Sequence, residues 1–103
     1  MQINITGHHV QVTPALKEYV EEKIQKLENR FENITQVHVT LKVEKRTQKA
    51  EAQVNIAGGR GPIFADSASA DMYSSIDSLT DKLNRLVTKH KEKLQKHNDD
   101  DML

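Results

Sequence analysis

The sequence contains no cysteine and no tryptophan, and only 4% of its 103 residues are aromatic. Without cysteine the chain can form neither a disulfide nor a thiolate site for catalysis or metal binding. No apolar run approaches the roughly 20 residues of a membrane-spanning helix, and the N-terminus lacks the basic and apolar parts of a secretory signal. We therefore expect one cytoplasmic domain with an aliphatic core and no membrane association.

Strand-like alternation of apolar and polar residues occurs in four places. The segments are residues 1–6, 37–43, 50–56 and 63–68. Gly7 is expected to end the first strand, and residues 46–48 are expected to link the second strand to the third. The glycines and proline of residues 58–62 predict a turn before the last strand, because glycine tolerates positive φ and proline cannot donate to a ladder.

Apolar residues at spacings of three and four predict two helices. Thr13 can cap the first helix with its hydroxyl, and Pro14 fits its first position because no amide hydrogen is needed there. Asp71 is expected to cap the second helix. The predicted apolar stripes are Leu16, Val20, Ile24, Leu27 and Phe31 on the first helix, and Met72, Ile76, Leu79, Leu83, Leu86, Val87, His90 and Leu94 on the second.

The predicted order is therefore strand, helix, three strands and helix. Because alternating strands can bury only one face, both helices should cover that face. The fold class is α+β, a two-layer sandwich in which two helices pack on one side of a four-stranded sheet. We expect this domain to span residues 1–97 and a short acidic tail to occupy residues 98–103.

The formal net charge of zero hides a separation of charges along the chain. Residues 79–98 contain six basic and two acidic side chains. On a helix turning about 100° per residue, the cations form one stripe that borders the apolar face. This stripe consists of Lys82, Arg85, Lys89, Lys93 and Lys96. On the first helix, Lys23, Lys26 and Arg30 cluster on one flank and the glutamates occupy the other.

These cations have more than one interpretation. Two neighbouring basic helices could neutralise the phosphates of a nucleic acid, for which RNA is favoured, and the basic strand segment around residues 42–49 strengthens this reading. A lysine-rich helix face is, however, also commonly a solvated surface. The alternatives are a general module for structured RNA and a protein-interaction domain whose charges only keep it in solution.

No pattern in the sequence indicates catalysis or a bound cofactor. None of the five histidines forms a pair at the i, i+4 spacing of a helical metal site. The glycines of residues 58–61 lack the Gly-Lys-Ser/Thr ending of a phosphate-binding loop, and no serine, histidine and carboxylate set stands out as a nucleophile system. We expect no enzymatic activity, no metal, no cofactor and no small-molecule substrate.

Several stretches resemble the short ribosome hibernation promoting factors, a family related to the ribosome-associated inhibitor called protein Y. They are QINITGHHVQVTPALKEYVEEKIQKLE at residues 2–28, LKVEK at residues 41–45 and ADMYSSIDSLTDKLNRLVTKHKEKL at residues 70–94. The resemblance runs from residue 1 to about residue 97. It implies a β-α-β-β-β-α fold similar to that of double-stranded RNA-binding domains, in agreement with the predicted order.

The resemblance also implies a function. Members of the family bind the small (30S) ribosomal subunit between head and body, where the helices face 16S rRNA and block the paths of mRNA and tRNA. The short forms act on 70S ribosomes alongside ribosome modulation factor to give inactive 100S dimers in stationary phase. The family's basic helix residues correspond to Lys23, Lys26, Lys82, Arg85, Lys89, Lys91 and Lys93. Helical periodicity alone adds Arg30 to this predicted RNA-binding set. The predicted acidic tail, residues 98–103, is shorter than the tail of protein Y.

Overall fold

A computed structural model describes residues 2–58 and 61–102 of the chain, with side chains described as far as Lys91. The predicted turn residues Gly59 and Arg60 lie outside the described residues, as do the side chains of Lys93, Leu94 and Lys96. The elements are β1 (Gln2–His8), α1 (Pro14–Arg30), β2 (Ile34–Glu44), β3 (Thr47–Ile56), β4 (Ile63–Ser69) and α2 (Met72–Met102).

The four strands form one mixed sheet in the order β1-β2-β3-β4. β1 runs parallel to β2, which is possible because α1 crosses over between them, while β2, β3 and β4 pair antiparallel in sequence. This arrangement confirms the predicted α+β class and the β-α-β-β-β-α order.

The core lies between the helices and one face of the sheet. The pairs Val37–Val54, Val39–Ala52 and Leu41–Ala50 lie side by side on β2 and β3 and are buried. Leu16, Val20, Ile24, Leu27 and Phe31 of the first predicted stripe, and Met72, Ile76, Leu79, Leu83 and Val87 of the second, join the same cluster. Both helices therefore cover one face, as the alternating pattern predicted, and no helix of the described residues covers the opposite face of the sheet.

Both predicted helix caps are present. The Thr13 side chain accepts a hydrogen bond from the amide of Leu16 at 3.2 Å, and Pro14 occupies the first helical position. The Asp71 carboxylate accepts one from the amide of Ser74 at 3.2 Å. These bonds satisfy amides that the first turn of a helix leaves without an intrahelical partner.

The prediction that Gly7 ends the first strand is wrong, because β1 continues to His8. A Cβ atom at Gly7 would lie 2.3 Å from the carbonyl oxygen of Val10, so glycine is needed where the chain turns back against the strand. His9, with a φ of 59°, marks the turn itself. The glycine therefore permits a close backbone approach and does not break the strand.

The predicted link between the second and third strands is also displaced. Glu44 pairs with Thr47, so the turn consists of Lys45 and Arg46 alone, and Lys45 has a φ of 55°. Of the predicted turn at residues 58–62, the described glycines Gly58 and Gly61 both have the positive φ that was expected of them. The shift of the hairpin link arises because the two-residue turn lets pairing continue to Glu44 and Thr47, and the alternation of apolar and polar residues does not mark where pairing stops.

Two features of α2 differ from prediction. Leu86 is 37% exposed, because it lies at the margin of the apolar stripe, next to the buried Val87. The helix also continues through Met102, so the backbone of the predicted tail is helical as far as that residue. No glycine or proline follows Pro62 in the sequence to stop it. Within the described residues, no helix is both long and apolar enough to cross a membrane.

Candidate nucleic-acid interface

The two helices meet along a seam near their N-terminal ends. The rings of Tyr19 and Tyr73 pack edge to face with centroids 4.9 Å apart, and the Tyr19 hydroxyl donates to Asp77 Oδ1 at 2.5 Å. One turn further along α1, the Lys23 Nζ atom lies 3.3 Å from the same oxygen. Tyr19 thus contacts Tyr73, while Lys23, one turn later on α1, contacts Asp77, one turn later on α2. The two helices therefore run in the same direction.

Hydrogen bonding along the seam changes the acidity of its members. The hydrogen bond from Tyr19 has the largest effect on the pKa of the Asp77 carboxyl and lowers it, and the hydrogen bond from Lys23 lowers it further. Partial burial acts to raise this pKa but does not outweigh the two bonds. The bond to Asp77 raises the pKa values of both Tyr19 and Lys23. Lys23 also lies 5.5 Å from the centroid of the Tyr19 ring. The charge of Lys23 is therefore engaged in helix packing, and a phosphate would have to compete with Asp77 for it.

Lys26 and Arg30 continue the line of Tyr19 and Lys23 at spacings of three and four, so all four lie on the α2 side of α1. Both are exposed. Arg30 lies with its guanidinium 5.8 Å from the centroid of the Phe31 ring. Among the residues whose side chains are described, neither Lys26 nor Arg30 forms an ion pair with a carboxylate. Their charges are free to attract an anionic partner.

The described part of the α2 stripe lies on the side of that helix away from α1; it consists of Lys82, Arg85 and Lys89. Lys82 Nζ donates to the backbone carbonyl of Asp66 on β4 at 2.7 Å, which fixes the orientation of the stripe. At about 100° per residue, the stripe is roughly 130° around the helix from the seam residues Tyr73 and Asp77. The seam and the carboxylate of Asp77 therefore separate these three cations from those of α1, so the two predicted basic helix surfaces do not share one groove.

The remaining predicted residues occupy two further positions. Arg85 and Lys89 are exposed on the stripe, and in the described part of the chain no carboxylate pairs with either. Lys91 lies near the C-terminal end of α1, where it lines a depression of about 220 Å³ with Phe31. The layer that α1 and α2 form, the helical layer, thus presents cations along both helices. The side chain of Lys93 is outside the described residues.

The basic strand segment does not join the helical layer. Lys42 and Lys49 lie on the helix-free face of the sheet, where they pair with Glu51 at 3.2 and 3.4 Å. Although partial burial acts to raise it, hydrogen bonds from Lys42 and Lys49 lower the pKa of the Glu51 carboxyl. This pairing is predictable from the sequence once a two-residue turn is assumed between β2 and β3. Such a turn places Lys42 opposite Lys49 and brings Glu51 diagonally beside Lys42. The contact between Tyr19 and Asp77, 58 residues apart, had no such signal.

The chain is similar to proteins of one family along nearly its whole length. The profile of the family described as "Sigma 54 modulation protein / S30EA ribosomal protein" matches residues 3–95. Over 97 residues the chain is 52% identical to the ribosome hibernation promoting factor of Klebsiella oxytoca, covering 94% of this chain and 100% of that protein. It is 50% identical over 95 residues to that of Pseudomonas putida, covering 92% and 91% respectively.

Solved structures show the same fold. A ribosomal subunit interface protein from Coxiella burnetii superimposes with a TM-score of 0.83 at 32% identity, covering 89% of this chain and 99% of that one. The N-terminal domain of protein Y from Thermus thermophilus superimposes with a TM-score of 0.77 at 30% identity, covering 86% and 98%.

The seam generates a prediction about stability and pH. Because the pKa of Asp77 is lower in the folded chain, its carboxylate stabilises the fold above the unfolded pKa of about 4, and this contribution is lost as the pH falls through the folded value. We expect Asp77→Asn to lower the Tm at about pH 7, and the difference from the parent to shrink towards about pH 3.

The control is Asp66→Asn, since the described side chains offer the Asp66 carboxylate no ion pair. It should change the Tm little at either pH. Thermal unfolding followed by circular dichroism provides the measurement. An Asp77→Asn deficit that stays the same size at both pH values would show that the charge of Asp77 does not stabilise the seam.

Proposed function

The chain belongs to the sigma 54 modulation protein / S30EA ribosomal protein family, and on that premise we propose that it is a ribosome hibernation factor. It binds the small ribosomal subunit in the channel between head and body, and its helices face 16S rRNA there. The observation that carries the proposal is 52% identity to a ribosome hibernation promoting factor across 94% of this chain and 100% of the relative. The two superimposable structures are likewise named for the ribosomal subunit interface and for protein Y.

The helical layer supplies the affinity in this proposal. Lys26, Arg30, Arg85 and Lys89 are exposed and, in the part of the chain whose side chains are described, paired with no carboxylate. Exposed lysines and arginines can neutralise phosphates and release the counterions condensed on them, at little cost to the fold. Lys91, together with Lys93 on sequence grounds, extends this surface along α2. Lys23 and Lys82 contribute only after leaving Asp77 and the Asp66 carbonyl.

Translation is inhibited by occupancy alone. A folded domain in the decoding channel fills space that mRNA and tRNA need, so no bond is made or broken and no cofactor is required. In the cytoplasm of stationary-phase cells, the bound 70S ribosomes assemble into inactive 100S dimers with ribosome modulation factor acting alongside. A general structured-RNA module, or a protein-interaction domain without RNA affinity, would behave differently in the two experiments below.

The first experiment measures the salt dependence of binding to purified small subunits. Each phosphate contact contributes about −0.7 to −0.9 to the slope of log affinity against log salt. Replacing Lys26, Arg85 and Lys89 together by Gln should therefore flatten the slope by roughly two to three units. The matched control, with Lys17→Gln, Arg46→Gln and Lys49→Gln, removes equal charge from outside the seam and stripe and should leave the slope near the parent value.

Filter binding over a salt series gives the slopes, and circular dichroism verifies that both triple variants are folded. A parent slope near zero would contradict RNA binding through phosphates. Equal flattening in both triple variants would contradict the assignment of binding to the helical layer. Equally tight binding of naked duplex RNA would favour the general RNA module.

The second experiment tests occupancy of the channel. If the protein takes the volume of mRNA and tRNA, its apparent Kd for small subunits should rise linearly with the concentration of free initiator tRNA and message. Translation should return when the protein is washed away. Simultaneous binding of all three ligands would contradict the mechanism, and inhibition that persists after washing, or cleaved rRNA, would indicate an enzyme.

A further inference from the structure

The helix-free face of the sheet carries an exposed aromatic ring that neither the core nor the helical layer uses. Phe64, on the edge strand β4, is 65% exposed, the highest value among the large hydrophobic residues described. It lies in register with Gln53 on β3, which in turn lies in register with His38 on β2. A polar row thus runs from the ring towards the centre of the sheet.

The ring borders an open depression. The depression has a volume of about 480 Å³ and is lined by Phe64 together with His38, Thr40, Gln53 and Asp66. This volume falls within the roughly 300–1,000 Å³ of small-molecule sites. Its walls offer one flat apolar surface and several hydrogen-bonding groups. Among the described side chains no cation pairs with the Asp66 carboxylate, which leaves it able to accept hydrogen bonds from a ligand.

Electrostatics argue against a phosphate as the ligand here. Lys42 and Lys49, the lysines on this face of β2 and β3, are both bound to Glu51, and Lys82 is bound to the backbone carbonyl of Asp66. The depression itself is lined by two carboxylates, those of Glu51 and Asp66. A single ring surrounded by polar groups also lacks the apolar, aromatic-rich centre typical of protein–protein interfaces. What fits is a flat, uncharged group with polar edges.

We propose that Phe64 and the depression beside it form a stacking site for one unpaired RNA base, with Gln53 and Asp66 positioned to bond the edge of that base. Sheet faces of RNA-binding modules commonly stack unpaired bases on exposed aromatic rings in this way. The inference rests on the proposed function for its choice of RNA as the polymer. It adds a second RNA contact, on the face of the sheet opposite the helices.

The direct test uses Phe64→Trp, because the chain has no other tryptophan and a stacked base quenches indole fluorescence. The probe is a short single-stranded RNA without secondary structure. We expect it to quench the tryptophan, whereas a duplex of the same sequence and inorganic polyphosphate, which offer no unpaired base, should not. Absence of quenching by the single strand would overturn the proposal.

The second test measures affinity for small subunits. Phe64→Ala should weaken binding by about 5-fold to 150-fold, the range for one stacked base, and should leave the salt slope unchanged because no charge is lost. Phe64→Leu is the matched variant, since it keeps apolar bulk but not the flat ring and should bind as weakly as Phe64→Ala. Phe64→Tyr should restore binding.

The alternatives give different results. Normal binding by Phe64→Leu together with weak binding by Phe64→Ala would identify an apolar docking site for a protein and overturn the base site. Unchanged binding by Phe64→Ala would overturn it as well. Quenching by the oligonucleotide in a chain that fails to bind small subunits would refute the proposed function and leave the stacking site standing.

Discussion

Burial of a single face of the sheet is the constraint on which the rest of the structure depends. Val37, Val39 and Leu41 are buried under the helices, and each such side chain contributes about 1.5–3 kcal/mol. An exposed ion pair contributes about 0–1 kcal/mol, so the apolar pattern decides where both helices lie. The surface cations then have no large part in folding. Their positions on the outer side of the helical layer are therefore not dictated by the core.

The sequence was most informative where periodicity and burial coincide. The alternation in β2 and the spacing in α1 predicted both elements and the face that each buries, because side-chain direction follows directly from strand and helix geometry. Local patterns failed where a distant atom decides the outcome. Gly7 is required by the carbonyl of Val10, which no alternation pattern reveals, and Leu86 is exposed because of its position at the margin of the helix stripe.

The same distinction applies to the candidate site. Periodicity grouped Lys26 with Arg30, and Arg85 with Lys89, and the structure places each pair on one side of its helix. Periodicity along one helix cannot show how that helix is rotated against its neighbour. Burial of each apolar stripe sets that rotation, and the bonds of Asp77 with Tyr19 and Lys23, and of Lys82 with the Asp66 carbonyl, show where the polar side chains then lie. The predicted cations of the two helices therefore lie on two surfaces separated by the seam, and two of them, Lys23 and Lys82, are engaged in contacts within the fold.

The two proposals together assign phosphate contacts to the helices on one side of the domain and a base contact to the exposed ring of Phe64 on the other. The central claim is that the helical layer faces rRNA. Chemical modification of lysines on the free and subunit-bound protein, read by mass spectrometry, tests it most directly. Lys26 and Lys89 should become protected on binding, whereas Lys17 on the far flank of α1 and Lys45 in the hairpin turn should stay reactive. Protection of Lys17 and Lys45 with Lys26 and Lys89 still reactive would contradict the account.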